Sequence, residues 1–280
     1  MIANRVKLYG LLTFKFFSNC LFFKNPITLF ANFTILLTFS GSKQVNMELF
    51  LSEFIGTFLL ILLGNGVVAN VVLKGTKGHG SGWIVITFGW AFAVFSGVTV
   101  AAASGAHLNS AVTIAMLMKG NITASQLLPY ISGQMLGAIT GASCVYLTYK
   151  SHYDITEDAS GKLATFCTSP ATRNNALNFF SEFIGTFVLV FGILYIPSAT
   201  NDLGGLSPLP VAFIVLSVGL SLGGTTGYAI NPARDLGPRI AHALLPVKNK
   251  GSNEWDYAWI PVAGPVSGAV IAVLIHNALT

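Results

Sequence analysis

Gly105-Ala106-His107-Leu108-Asn109-Ser110-Ala111-Val112 and Gly227-Tyr228-Ala229-Ile230-Asn231-Pro232-Ala233-Arg234 each place an Asn, a small turn residue and an Ala at the head of a short apolar segment. A second pair repeats letter for letter: Ser52-Glu53-Phe54-Ile55-Gly56-Thr57-Phe58 returns as Ser181-Glu182-Phe183-Ile184-Gly185-Thr186-Phe187. Two motifs recurring in the same order mark an internal duplication.

The 280 residues are 53% hydrophobic and only 9% charged, which excludes an ordinary soluble domain and a disordered chain alike. Apolar runs cover Leu49 to Leu73, Trp83 to Ala102, Leu127 to Tyr149, Phe179 to Ile196, Leu209 to Leu222 and Trp259 to Leu279. Each is long enough, or nearly so, to cross a hydrocarbon core of about 30 Å. Three spans per copy is an odd number, so the second copy enters the bilayer from the opposite side and the repeats are inverted. The expected fold is an all-α membrane protein of six transmembrane helices. The segments Ala106 to Lys119 and Ala229 to Leu245 are apolar but too short to span, and read as two re-entrant half-helices. Their Asn residues cap helix starts, and Pro232 at a first helical position loses no hydrogen bond. Two helix N-termini meeting at mid-bilayer create a field that repels cations.

The net charge of +5 comes from residues 1–46, which hold Arg5, Lys7, Lys15, Lys24 and Lys43 and no acid. The remainder is balanced, so nucleic acid is not an expected partner. Cys20, Cys144 and Cys167 have no metal-ligand or disulfide spacing, and neither a metal nor a cofactor is expected. Ile27 to Phe39 has the outline of a signal peptide's apolar region, but Met47 stands directly before the first repeat. Residues 1–46 are therefore read as an extension, with translation starting at Met47 or, failing that, as a basic segment at the membrane surface. The expected channel domain is 47–280: first repeat 47–150, connecting loop 151–176 and second repeat 177–280.

The paired Asn motifs, with Ser104-Gly105-Ala106-His107-Leu108-Asn109, Gly227 to Arg239 and the doubled Ser-Glu-Phe-Ile-Gly-Thr-Phe, resemble the aquaporin and glycerol facilitator family over about Met47 to Leu279. The resemblance implies one pore per subunit in a homotetramer of the cell membrane, passing glycerol, other small neutral solutes and water, and excluding ions and protons. It is not the pattern of an enzyme. The pore centre would be Asn109, Ser110 and Ala111 with Asn231, Pro232 and Ala233, the two Asn amides donating to a permeant oxygen. The filter would be Trp90, Gly219, Tyr228 and Arg234. Two aromatic faces then meet a carbon backbone while a guanidinium holds hydroxyls. Glu53, Glu182, His107 and Asp235 are read as loop supports; pairing of Arg234 with Asp235 is the plainer alternative.

Two departures stand out. Ser110 occupies the position of the motif's first proline, trading a fixed φ for a hydroxyl that could bind permeating water. The Trp90 to Asn109 spacing is one residue short, which places a deletion within Val100 to Ser104 and leaves Phe88 or Phe92 as alternatives for the wall position. A water-selective channel is one alternative function; a secondary transporter using the intramembrane Glu53 and Glu182 is the other. With both termini cytosolic, as in the family, the basic loops around Lys74 and Lys77, Lys150 to Arg173, and Lys248 to Lys250 lie outside, against the positive-inside rule. The polar stretch Ser151 to Asn175 is expected to form the outer vestibule, and Asn201 to Gly205 an inner loop.

Overall fold

The computed structural model describes residues 41–196 and 203–280, and for residues 41–43 the backbone alone. Most of the expected N-terminal extension, and Asn201 and Asp202 of the inner loop, lie outside the described residues. Val45–Thr280 form one compact unit. Its helices are α1 (Gly41–Val72), α2 (Trp83–Val100), α3 (Ser110–Met118), α4 (Leu127–Thr148), α5 (Lys150–Ile155), α6 (Ala159–Ala164), α7 (Asn175–Tyr195), α8 (Leu209–Ser221), α9 (Pro232–Leu244) and α10 (Ile260–Leu279). Four of them, and the stretch Leu203–Ser221 that ends in α8, are long and apolar enough to cross a membrane; α4, at 22 residues, is long enough but is diluted by Gly, Ser, Thr and Gln134. With α3 and α9 as the short pair, this is the expected pattern of six spans and two half-helices. Met47 lies inside α1, which has begun by Gly41.

The glycines of α4 explain why a weakly hydrophobic helix sits where it does. Gly133, Gly137 and Gly141 recur every fourth residue and face Phe50 O, Phe54 O and Phe58 O of α1 in turn; a Cβ at Gly133 would stand 2.5 Å from Phe50 O. The second copy repeats the arrangement, with Gly264 and Gly268 of α10 facing Phe179 O and Phe183 O of α7. Lipid provides no hydrophobic drive for helices to associate, so close backbone approach over small residues must hold each seam together. Glu53 and Glu182 sit at these seams: a Cβ on Gly133 would lie 3.2 Å from Glu53 Cβ, and one on Gly264 would lie 2.8 Å from Glu182 Cβ.

The two copies then interlock. Half-helix α9 packs along α4 of the first copy, half-helix α3 packs on α10 of the second, and α2 runs along α8. Leu128, Leu147, Leu177, Phe92 and Phe213 are well exposed on the outer faces, as suits side chains bathed in acyl chains. The connection between the copies is more structured than a polar vestibule loop. It contains α5 and α6, and Tyr153, Lys162, Phe166 and Cys167 within it are buried. Asp158 caps α6, accepting from Ser160 N at 3.0 Å, and the bonds from Ser160 hold its carboxyl below the usual carboxylate range.

Candidate functional site

A cavity of about 410 Å³ follows the line where α3 and α9 meet. At one end stand Trp90, Tyr228 and Arg234; at the other stand Met116, Ile122 and Tyr130. Between them the wall is apolar along one side, with Leu60, Val94, Leu189 and Val215, and is formed by the loop residues 104–109 and 228–231 along the other.

The loop backbone is unusual in the same way twice. Gly105, Ala106 and Leu108 have φ of 81°, 55° and 51°; Gly227, Tyr228 and Ile230, at matching distances before the second Asn, have 83°, 40° and 43°. Non-glycine residues at positive φ are strained and persist only where the surroundings hold them. Glu53 and Glu182 supply that hold. Glu53 accepts from His107 N at 2.9 Å, Leu108 N at 2.7 Å, Ser104 Oγ at 2.5 Å and Gln134 Nε2 at 2.8 Å. Glu182 accepts from Ala229 N at 3.0 Å, Ile230 N at 2.8 Å and Thr226 Oγ1 at 2.7 Å. With their N–H groups turned to these carboxylates, the loops are held by one edge while they line the cavity with the other. The repeated glycines make room: a Cβ at Gly56 would strike Leu108, and one at Gly185 would sit 3.0 Å from Ile230 Cγ2.

Each Asn performs two tasks. Asn109 Oδ1 caps α3 through Ala111 N at 2.9 Å, and Asn231 Oδ1 caps α9 through Ala233 N at 3.0 Å and Arg234 N at 3.3 Å. Asn109 Nδ2 donates to Ile230 O at 2.8 Å and Asn231 Nδ2 to Leu108 O at 2.7 Å, tying each loop to the opposite copy. An amide nitrogen carries two hydrogens, so one N–H on each Asn is left for the lumen that both residues line. The other four residues expected at the pore centre, Ser110, Ala111, Pro232 and Ala233, are buried behind the cavity wall and do not line it. Ser110 Oγ donates to Gln134 Oε1 at 2.8 Å, so the hydroxyl is directed into the helix packing and not toward permeating water.

At the end with Trp90, Arg234 is only 7% exposed, its guanidinium lies 4.1 Å from the Trp90 ring centroid, and its Nη1 has no partner among the described residues. Arg234 is not paired with Asp235. Asp235 instead forms a buried ion pair with Arg239 at 2.8 Å and accepts from Thr168 N at 2.8 Å. Arg239 also donates to Thr168 O and Asn253 O, so the pair pins α9 to both neighbouring loops. Gly219, expected in the filter, lies behind Tyr228 and does not line the cavity. The space its missing side chain leaves is taken by Tyr228, whose Cζ would be 2.8 Å from a Cβ there. Trp90 holds the wall position, while Phe88 and Phe92 are exposed at 44% and 62%. α2 ends at Val100, and a tight turn over Ala102–Ser104 absorbs the short spacing to Asn109.

Several contributors were not singled out from the sequence. Trp83 donates Nε1–H to Gly219 O at 3.0 Å and meets Tyr228 edge-on, fixing the filter aromatic from behind. Tyr130 stacks on His107 with centroids 4.3 Å apart, and His107 Nδ1 lies 3.2 Å from Thr113 Oγ1, so this histidine both lines the cavity and is held by the network. His242 finds Asn253 Oδ1 at 2.7 Å, and Lys250 Nζ donates to His242 O, Ala243 O and Leu245 O at the C-terminus of α9. One signal for such partners was present: Ser104 and Thr226 each stand five residues before their Asn.

The chain matches the family model described as major intrinsic protein over residues 41–276. It is 53% identical to a probable glycerol uptake facilitator protein of Thermotoga maritima, over 82% of this chain and 99% of that protein. It is 51% identical to the glycerol uptake facilitator protein of Bacillus subtilis, over 83% and 85% respectively. Its fold is similar to the X-ray structure of the aquaglyceroporin from Plasmodium falciparum, with a TM-score of 0.73, 33% identity and coverage of 83% of this chain and 96% of that one. The half-helix pair, its mirrored glutamates and these likenesses agree: the chain belongs to the major intrinsic protein family, as a multi-pass membrane channel and not an enzyme.

Proposed function

We propose that this chain is a passive channel for glycerol and other small uncharged solutes, with water passing alongside, in a homotetramer. The observation that carries the reading is the end of the cavity lined by Trp90, Tyr228 and Arg234. Arg234 presents an unpartnered, fully charged donor beside the faces of Trp90 and Tyr228, and the free N–H groups of Asn109 and Asn231 follow further along an otherwise apolar lane. A polyol has the matching surface, with hydroxyls for the donors and C–H for the rings and aliphatic wall. A cation meets an arginine and the positive ends of two helices. The names of the relatives, glycerol uptake facilitators, support the same solute.

The transporter alternative has less support. Glu53 and Glu182 are fully buried, do not line the cavity, and spend both oxygens on the loops. The test is stopped-flow light scattering on proteoliposomes with glycerol, urea, dihydroxyacetone and a larger polyol. Glycerol flux should follow the gradient without saturating and should ignore collapse of a proton gradient. Strict dependence on a proton or sodium gradient would overturn the channel reading.

A further inference from the structure

Ser110 breaks the motif, yet the half-helix it begins has the geometry of the half-helix that keeps its proline. Asn109 has φ −151° and ψ 119°, and Asn231 has φ −157° and ψ 111°. The caps (2.9 and 3.0 Å) and the amide bonds across the pore centre (2.8 and 2.7 Å) match as well. In the second copy this follows locally: Pro232 has a fixed φ, and a residue before proline is confined to the extended region that Asn231 adopts. Nothing local confines Asn109.

A tertiary network supplies the constraint. Ser110 Oγ donates to Gln134 Oε1, and Gln134 Nε2 donates to Glu53 Oε2 at 2.8 Å and to Thr113 Oγ1 at 2.9 Å. Thr113 Oγ1 donates in turn to Asn109 O at 3.1 Å. All four side chains of the network are buried. The orientation of the Gln134 amide is set from the Glu53 side, because a flip would bring its oxygen against the carboxylate; with the amide so placed, its oxygen faces Ser110 and the hydroxyl there must donate. The duplication shows what this replaces. Gly133 and Gly264 make the same contacts with Phe50 and Glu53 as with Phe179 and Glu182, so Gln134 corresponds to Pro265. The first copy has serine with glutamine where the second has two prolines.

We propose that the Ser110 hydroxyl, held by Gln134, takes the place of the motif's proline, making Ser110 and Gln134 a positioning pair that sets the free Asn109 amide N–H toward the lumen. The pair does not touch the solute; it acts through Asn109. It rests on the conduction reading above and extends it to residues outside the lumen.

The test compares Ser110→Ala, Ser110→Thr, Ser110→Pro and Gln134→Met in proteoliposomes, reading glycerol and water permeability on the same vesicles so that their ratio is independent of how much protein inserts. Ser110→Ala removes the hydroxyl by which Gln134 holds the helix start and puts no ring in its place, and should lower the ratio about fivefold. Ser110→Pro and Ser110→Thr, by ring and by hydroxyl, should keep it near the parent value. Gln134→Met should lower it at least as far, with Ser110→Ala adding nothing further. A parent-like ratio in Ser110→Ala, or independent effects of the two substitutions, overturns the pair. Hydrogen exchange of the peptide over residues 105–118, faster in Ser110→Ala and parent-like in Ser110→Thr, reads the same positioning without any flux. Absence of glycerol flux in the parent sinks the conduction reading, whereas normal parent flux with an unaffected Ser110→Ala protein sinks only the pair.

Discussion

Arg234 is a full charge with almost no exposed surface, stacked on Trp90 and without a carboxylate partner among the described residues. Burying such a group is unfavourable unless a ligand or water completes its bonds, which is why a structural ion pair explains Arg239 but not Arg234. Arg234→Ala should therefore leave water flux within a few-fold of the parent while raising proton or cation leak on the order of tenfold, read with a pH-sensitive dye in the vesicles. Gly219 has a different residue-scale role. Any side chain there must displace Tyr228, since a Cβ would lie 2.8 Å from its Cζ and 3.0 Å from Thr87 Cγ2. Gly219→His should cut glycerol flux roughly tenfold and water flux much less, as overpacking narrows the lane for the larger solute first. Equal losses would mean that Gly219 does not set the width of this end.

The helix seams depend on what is missing from them. Gly137 faces Phe54 O and Gly268 faces Phe183 O with no room for a side chain, so Gly137→Leu should drive α4 off α1. The expected result is a loss of about 3 kcal/mol or more of stability, seen as a lower unfolding temperature in detergent, whereas Leu136→Ala on the exposed face should change little. In the first half of α9, the buried pair Asp235 and Arg239 joins three chain segments through Thr168 and Asn253. Arg239→Met should cost about 3–5 kcal/mol because it strands a buried carboxylate, and combining it with Asp235→Leu should recover part of that loss in a double-mutant cycle. A cycle with purely additive losses would show that the two side chains act separately. The Gly137 contact joins helices far apart in the chain, whereas Asp235 and Arg239 stand four residues apart on one helix and reach distant segments through Thr168 and Asn253.

For the whole molecule, the duplication gives two chemically similar halves that differ where their sequences do. Glu53 and Glu182 serve the same purpose in both, so Glu53→Gln and Glu182→Gln should each weaken folding by about 2 kcal/mol by turning an amide NH2 toward loop donors. Flux per folded channel should stay driven by the solute gradient alone, checked by scaling permeability to the amount of folded protein in the vesicles. The sequence by itself was enough for the six spans, the half-helices, the inversion and the paired glutamates, because hydropathy length and motif repetition are local properties of the chain. The family resemblance grouped Trp90 with Arg234, and the structure brings the guanidinium over that ring. Only the tertiary structure decided that the Ser110 hydroxyl goes to Gln134 and not the lumen, that Tyr228 fills the space beside Gly219, and that Asp235 belongs to Arg239 and not Arg234. For Ser110 and Gly219 the physical reason is that a short polar or glycine position has several partners within reach, and which one it takes is set by how the helices and loops pack together; for Asp235 the choice lies between the next residue and one a helical turn further on, and helix geometry puts Arg239 on its face.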